Sequence, residues 1–407
     1  LLPGIEHCFV GEMNETTRIQ ELARRMARQL HGNILPFWLR LEDRAHGGHY
    51  GLMDAAGRLD RAAPKAAVFV SRLLWTLATA GAATGDERCL AQAGRTKAFL
   101  LRHLVDPAQG GVFWSVTHDG QPLETDKHAY AQAFAIYGLS AYAAATGDAA
   151  ALAAAQAVFA DVERHARQPG GEYREAFDAD WRPVPNRRLA PQGDIDTLTA
   201  NTHLHLIEAY TGLARAWPAP APRAALRGLV EFFVARFLAD DGSHSHPLLD
   251  GDLRPLAKRI SYSHDIELSW LIEAAGDVLG DGSLARRLRA ASARLAAFAA
   301  AHGQDADGGW STDSALRGRG TRHWWVQAEA MLGMLNAVRR GGPAQMLDRA
   351  EATWAFVERV VVDQVGGDWF GGVDRMGQPD PTLVKVGPWK DCYHQARACL
   401  LAGSVGA

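Results

Sequence analysis

Cysteine is sparse and poorly placed for cross-linking. The four in this chain of 407 residues, Cys8, Cys89, Cys392 and Cys399, show neither the paired C-x-x-C spacing of a zinc site nor the density of a disulfide framework. They read as reduced thiols of a cytoplasmic protein. Long apolar runs are missing too. No stretch approaches the roughly 20 residues that span a bilayer, and the opening LLPGIEHCFV lacks the basic segment and apolar core of a secretory signal. Charge of one sign never accumulates: the formal net charge is -3, without long runs, which removes the electrostatic reason to expect nucleic acid or a membrane surface as partner. What remains, 47% hydrophobic and 22% charged residues, is enough for a large core, and a small ligand is the expected partner.

The chain does contain an internal repeat. Glycine pairs followed by aromatics occur at Gly47-Gly48 with Tyr50, Gly110-Gly111 with Phe113-Trp114, Gly170-Gly171 with Tyr173, Gly308-Gly309 with Trp310, and Gly366-Gly367 with Trp369-Phe370; Asp241-Gly242 is a weakened copy. They recur about every 60 to 70 residues, the signature of stacked supersecondary units. Taken singly, such pairs are turn punctuation; the sixfold recurrence carries the information.

Between these marks the Ala-, Leu- and Arg-rich segments carry apolar residues at three- and four-residue spacing, which predicts helices over 16–35, 64–81, 88–104, 128–146, 149–166, 200–216, 222–239, 262–279, 283–301, 323–340, 344–362 and 389–404. Short connections such as Thr146-Gly147-Asp148 and Leu279-Gly280-Asp281 join even helices to odd ones, Gly supplying the stop and Asp the next cap. The long connections carry the Gly-Gly motif. Six hairpins, each needing to bury a face on its neighbours, predict an all-α fold, an (α/α)6 barrel spanning 1–407 as a single catalytic domain. Short β-hairpins in the long loops, with aromatics such as Trp114 and Trp369, are expected to form a funnel at one end.

At that end the even helices begin, and there the chemistry-bearing residues gather: Arg72, Tyr130, Asn201, His203, His205, His264, Asp265, Glu267, Trp324, Trp325, Glu329, Trp389, Tyr393, His394 and Arg397. Helical spacing puts Asn201 with His205, Trp325 with Glu329, His264 with Glu267 and His394 with Arg397 on shared faces. Aromatics among carboxylates, Asn, Arg and His suit a carbohydrate, whose C–H faces stack on indole and whose hydroxyls want planar polar partners. Each residue also has a plainer reading. A lone histidine at a helix start is a cap, Arg72 closes a salt bridge, and Glu267 and Glu329 only orient neighbours. His203 points elsewhere than His205, and of the adjacent Trp324 and Trp325 only one faces inward, the other packing in the core. His203-x-His205 splays by about 200° on a helix, which argues against a metal site. The reading calls for no metal and no cofactor.

Four segments, Asn201-Thr-His-Leu-His205, Ser261-Tyr-Ser-His-Asp-Ile-Glu267, Trp324-Trp-Val-Gln-Ala-Glu329 and Lys385-Val-Gly-Pro-Trp-Lys-Asp-Cys-Tyr-His394, together resemble the N-acylglucosamine 2-epimerase superfamily, nearest its cellobiose 2-epimerase and mannose 2-epimerase or isomerase branches. The resemblance implies the same barrel and a cofactor-independent isomerase moving a proton at C2 of an aldose through a cis-enediolate. It makes His264 and His394 the acid-base pair, His205 an aid to ring opening, Arg72 the partner of the enediolate oxygen, and Glu267 and Glu329 orienters of imidazoles. Tyr130, Asn201, Trp270, Trp325 and Trp389 would bind or shape the sugar.

Two departures from the family pattern bear on the substrate. Cellobiose epimerases carry a Trp-Phe-Trp run that helps stack the second sugar, where this chain has Trp369-Phe370-Gly371-Gly372, and Ser263 stands before His264 where Gly is more familiar. The balance leans to a free hexose such as mannose or glucose, with a β-1,4 disaccharide as the alternative. Two rivals of other classes are a glycoside hydrolase on the same barrel, which would need two carboxylates across the scissile bond, and a non-catalytic sugar-binding or interaction protein.

Overall fold

The computed structural model describes residues 14–402. Twelve helices dominate them, in six hairpins: α1 (Glu15–Gln29, continued by a π turn Leu30–Ile34 and a last turn Leu35–Leu39), α2 (Ala67–Thr84), α3 (Glu87–Phe99, with a π turn Leu100–Leu104), α4 (Ala129–Thr146), α5 (Ala149–His165), α6 (Ala200–Ala216), α7 (Pro220–Arg236), α8 (Tyr262–Leu279), α9 (Gly282–Gly303), α10 (Trp324–Arg339), α11 (Gln345–Phe356, with a π turn Val357–Val361) and α12 (Tyr393–Ala402). The even helices form an inner ring, each packed on the next from α2 round to α12, and α12 closes on α2. This is an (α/α)6 barrel.

Burial explains the composition of the two rings. Inner helices are covered on every side and are apolar nearly all round; α2 is long and apolar enough to cross a membrane, yet 78% of it is buried in the barrel. Outer helices are amphipathic, as in α1, where only Leu22 and Met26 are fully buried. The short turns follow the predicted chemistry. Gly85, Gly147 and Gly280 adopt left-handed φ of 71°, 73° and 67°, and Asp86, Asp148 and Asp281 cap the next helix.

The Gly-Gly marks lie where each outer helix turns into a long connection, and one isolated antiparallel bridge closes each of the six: Glu42 with His49, Val105 with Val112, Arg167 with Tyr173, Leu238 with Ser245, Gln304 with Trp310 and Val362 with Trp369. Short hairpins follow. The extended residues just before an inner helix pair with the hairpin of the next unit: Lys65–Ala66 with Ser115–Val116, Lys127–His128 with Ala176–Phe177, Leu198–Thr199 with Leu248–Leu249, and Arg322–His323 with Gly372–Val373. Met53 with Val386 completes the circle. Hydrogen-bonded clasps thereby fix the height and rotation of the inner-helix N-termini. Largely buried ion pairs reinforce four of the units: Lys65 with Asp43 at 2.8 Å, Lys127 with Asp106 at 2.5 Å, Arg322 with Asp305 at 3.1 Å, and Lys385 with Asp363. Breaking such a pair strands a buried charge at a cost of about 3–5 kcal/mol.

Two sequence expectations need correction. The last helix starts at Tyr393 instead of 389, because Gly387 and Lys390 close a turn on each other and Asp391 caps the Tyr393 amide; positions 403–404 lie outside the described residues. Trp369 is not in the funnel but buried against Trp354, with ring centres 6.0 Å apart. Cys89, Cys392 and Cys399 are free and buried, while Cys8, like the rest of the first thirteen residues, falls outside the described part.

Candidate active site

The inner-helix N-termini surround a cavity of about 500 Å³, lined among others by Arg72, Tyr130, Asn201, His205, His264, Glu267, Trp325, Trp389 and His394. Three imidazoles from three helices thus face one space. A helix carries a side chain from its first turns back toward its N-terminus, so α6, α8 and α12 aim theirs at the same mouth.

Each imidazole is held from behind by a different group. His394 Nδ1 lies 2.7 Å from Glu329 Oε1, His205 Nδ1 lies 2.9 Å from Glu208 Oε2, and His264 Nδ1 lies 2.7 Å from Ser261 Oγ. Glu329 and Glu208 each accept the Nδ1 proton, which leaves Nε2 as the free lone pair. The Trp325 ring sits between the two outer imidazoles, 5.2 Å from His264 and 5.7 Å from His394. Burial pushes both His264 and His394 down to about 3; nearby His205 and Arg259 add to the effect at His264, while Glu329 opposes it at His394. His205 is lowered as well, by burial against the pull of Glu208. All three are neutral at pH 7.

Arg72 supplies fixed positive charge at the cavity wall. Its Nη2 donates to Tyr130 Oη at 2.9 Å, its Nη1 lies 3.4 Å from Asp391, and its guanidinium packs 4.2 Å from the Phe134 ring centre. Burial raises the Tyr130 hydroxyl to about 12, so it stays a donor. Asn201 Oδ1 is buried, has no hydrogen-bond partner among the described residues and lines the cavity, a polar atom left for a ligand.

Below the imidazoles lies a charged layer whose cross-helix contacts, and whose member Glu208, sequence reasoning missed. Arg397 donates from Nη1 to Glu208 and Tyr393, and from Nη2 to Glu329 at 2.7 Å and Glu267 at 3.1 Å. One guanidinium therefore serves three carboxylates. Burial would raise Glu329, but Arg397 and His394 hold it down to about 2. Glu267 goes the other way: burial and the facing Glu329 lift it well above the usual range, with Arg397 only partly offsetting them. Glu208 was visible three residues after His205 on the same helix face, but it lies one turn deeper than the positions considered.

The structure also moves several expected residues. Trp270 does not touch the cavity. It lies one turn below Glu267, donates from Nε1 to Glu329 Oε2 at 3.1 Å, and covers Arg397 at 4.6 Å, so it supports the charged layer instead of a sugar. Glu267 orients no imidazole; it lines the cavity and bonds Arg397. His203 packs in the core, as expected, with Nδ1 at Thr199 O and its ring near Phe237. Trp324 and Trp325 both reach the cavity wall, Trp324 while buried and bonded to Gln395. Asp265 is buried away from the cavity, clamped to Ser245. Among the described residues Glu267 is the one carboxylate lining the cavity, so the carboxylate pair that glycoside hydrolysis requires is not assembled.

Glu267, Glu329 and His394 are close enough to hold a metal ion, with candidate ligand atoms within 4.8 Å of one another. Arg397 already bonds both carboxylates, and His394 spends Nδ1 on Glu329, so the charge a cation would meet is largely met.

Comparison with known proteins fits this geometry. The sequence pattern of the N-acylglucosamine 2-epimerase (GlcNAc 2-epimerase) family matches residues 48–398. A cellobiose 2-epimerase of Bacteroides fragilis is 37% identical over 384 residues, covering 93% of this chain and 98% of that protein. The solved cellobiose 2-epimerase of Bacillus thermoamylovorans superposes with a TM-score of 0.89 at 31% identity, covering 94% of this chain and 98% of the other. A D-mannose isomerase of Pseudomonas cannabina pv. alisalensis is 26% identical, with 86% of each chain covered.

Proposed function

The chain belongs to the N-acylglucosamine 2-epimerase family, and on that premise we propose that it epimerises C2 of the reducing-end glucose of a β-1,4-linked disaccharide, by proton transfer without a cofactor. The observation that carries the chemistry is the convergence of the neutral imidazoles of His205, His264 and His394 and the fixed guanidinium of Arg72 on a single cavity. The choice of a disaccharide over a free hexose reverses the lean that Gly371 suggested. It is supported by relatives at 35–37% identity being named cellobiose 2-epimerases, against 26% for the mannose isomerase. A cavity of about 500 Å³ also exceeds what one hexose ring fills.

In this reading the pyranose opens to its aldehyde with His205 beside O1 and O5. One neutral imidazole, His264 or His394, removes the C2 proton; the electron pair delocalises onto O1, where Arg72 and Tyr130 stabilise the enediolate. The other imidazole, as imidazolium, returns a proton to the opposite face. Two neutral imidazoles are one proton short for this exchange. Glu267 carries that proton as a carboxylic acid at the cavity wall, with candidate donor and acceptor atoms within 4.8 Å of those of His394. The Glu329 carboxylate then stabilises His394 in its protonated state.

The substitution Glu267→Gln tests the proton store. It keeps an acceptor for Arg397 and removes the acidic proton, so turnover should fall by about 10²-fold. Stability should move the other way. The folded carboxyl stays protonated above its reference value of 4.5 while the unfolded one ionises, so wild-type Glu267 costs stability at every pH above 4.5. E267Q should melt at or above the wild-type temperature at pH 7, and the difference should vanish below pH 4.5. Full activity in E267Q would remove Glu267 from the mechanism.

The assignment as a whole is tested by chromatography of cellobiose, glucose and mannose after incubation with enzyme, with and without EDTA. Cellobiose should give glucosyl-mannose, faster than glucose gives mannose, and chelator should change neither rate. Turnover of free hexoses alone would return the assignment to a monosaccharide epimerase, and cleavage of the glycosidic bond would end it.

A further inference from the structure

The catalytic reading leaves unexplained how the second sugar is held, because the third aromatic of the Trp-Phe-Trp run is Gly371. The structure shows that no side chain can stand there: a Cβ on Gly371 would lie 2.7 Å from Val384 O and 3.1 Å from Leu383 Cβ. The segment around Leu383 and Val384 fills that rim of the cavity with main chain and aliphatic surface.

The part of the rim around Trp389 and Arg188 is built differently. Trp389, 41% exposed at the mouth, packs on Trp114 with ring centres 5.6 Å apart, and the Arg188 guanidinium lies over Trp114, 4.1 Å from its ring centre. Arg188 is also clamped from the side. Its Nε donates to Asp126 Oδ2 at 3.0 Å and its Nη2 to Asp126 Oδ1 at 2.8 Å and Glu124 Oε1 at 3.1 Å. Glu124 is itself fixed by Ser115 Oγ at 2.6 Å. This uses Nε and Nη2 and leaves Nη1 without an acceptor among the described residues, on a side chain that lines the cavity. A guanidinium held in one orientation by a bidentate carboxylate and a ring face has already lost the rotamer freedom a ligand would otherwise have to remove.

We propose that Arg188 is the specificity-determining residue for the second sugar, its Nη1 donating to a hydroxyl of the non-reducing hexose while Trp389 stacks on a sugar face. The inference rests on the disaccharide reading above and adds the group that selects for it. The C2 chemistry lies deeper, among the inner-helix residues, so Arg188 acts on binding of the distal ring.

The test is kcat/KM on cellobiose and on glucose for the wild type, Arg188→Met, Arg188→Lys and Asp126→Asn. R188M should lower the ratio of cellobiose to glucose efficiency about tenfold, the worth of one hydrogen bond from a charged donor, mainly through KM. R188K should follow it, since an ammonium lacks the planar fork, and D126N, which keeps the guanidinium but loosens it, should fall between. An unchanged ratio in R188M and R188K, with wild-type activity on cellobiose, would overturn the inference and leave the disaccharide reading standing. Wild-type activity on glucose but not on cellobiose would overturn both.

Discussion

Replacing His264 or His394 by alanine should reduce epimerisation by about 10²- to 10⁴-fold, the range lost with a positioned acid or base, while leaving the barrel folded. Both side chains end at the cavity, so truncation opens space where ligand or water already reaches and leaves the ring of helices intact. Removing His394 also leaves Glu329 bonded to Arg397 and Trp270, so no carboxylate is stranded. The two variants should differ in one respect. His394 is backed by a carboxylate and His264 by a hydroxyl, so a variant retaining only His394 keeps the stronger base and better proton holder, and one retaining only His264 keeps the weaker one. Product formation by chromatography together with a far-UV circular dichroism melt checks both claims. Wild-type turnover in both variants would end the two-imidazole account.

The second large effect concerns stability. Arg397→Met should destabilise the protein by about 3–5 kcal/mol at pH 7, because it leaves Glu208, Glu329 and Glu267 buried without their shared guanidinium. The pH dependence follows from the sign of each shift. In the wild type Glu208 and Glu329 are held below 4.5, so the stability they contribute is present above 4.5 and is lost as pH falls through the folded values, about 2 for Glu329. In R397M the same carboxyls are buried without a cation and must rise, so folding is penalised as pH climbs through 4.5. The gap between the two melting temperatures should therefore be widest near neutral pH and shrink below 4.5. Equal melting at pH 7 would show that the layer beneath the imidazoles does not depend on this arginine.

Much of the barrel was readable because its signals are local. A left-handed Gly followed by a capping Asp marks a helix junction wherever it occurs, and α6 and α8 were placed with the bounds the structure has, Ala200–Ala216 and Tyr262–Leu279. The π turns ending α3 and α11 were not visible, since nothing in Leu100–Leu104 or Val357–Val361 departs from ordinary helical composition. The start of α12 was misjudged because a turn at Gly387–Lys390 and an Asp391 cap replace its first turn. At the site, three- and four-residue spacing brought His264, Glu267, His394 and Arg397 into view as pairs. Spacing along one helix says nothing about which helix a side chain reaches across to. Arg397 joins α6, α8 and α10 from α12, Trp270 turns out to support Glu329 instead of a sugar, and Arg188 sits in a loop whose position depends on Asp126 and Trp114. Such contacts are set by the closure of the ring, a long-range property that periodicity does not encode.

The central claim is that a proton, taken from C2 by one imidazole and returned by another, passes through groups that exchange with water. Proton NMR of the wild-type enzyme with cellobiose in D2O tests this directly. Proton transfer predicts that the mannose unit formed at the reducing end carries deuterium at C2, with the H2 signal of the residual glucose unit decaying as exchange continues. Epimer that keeps its original C2 hydrogen throughout would contradict the account.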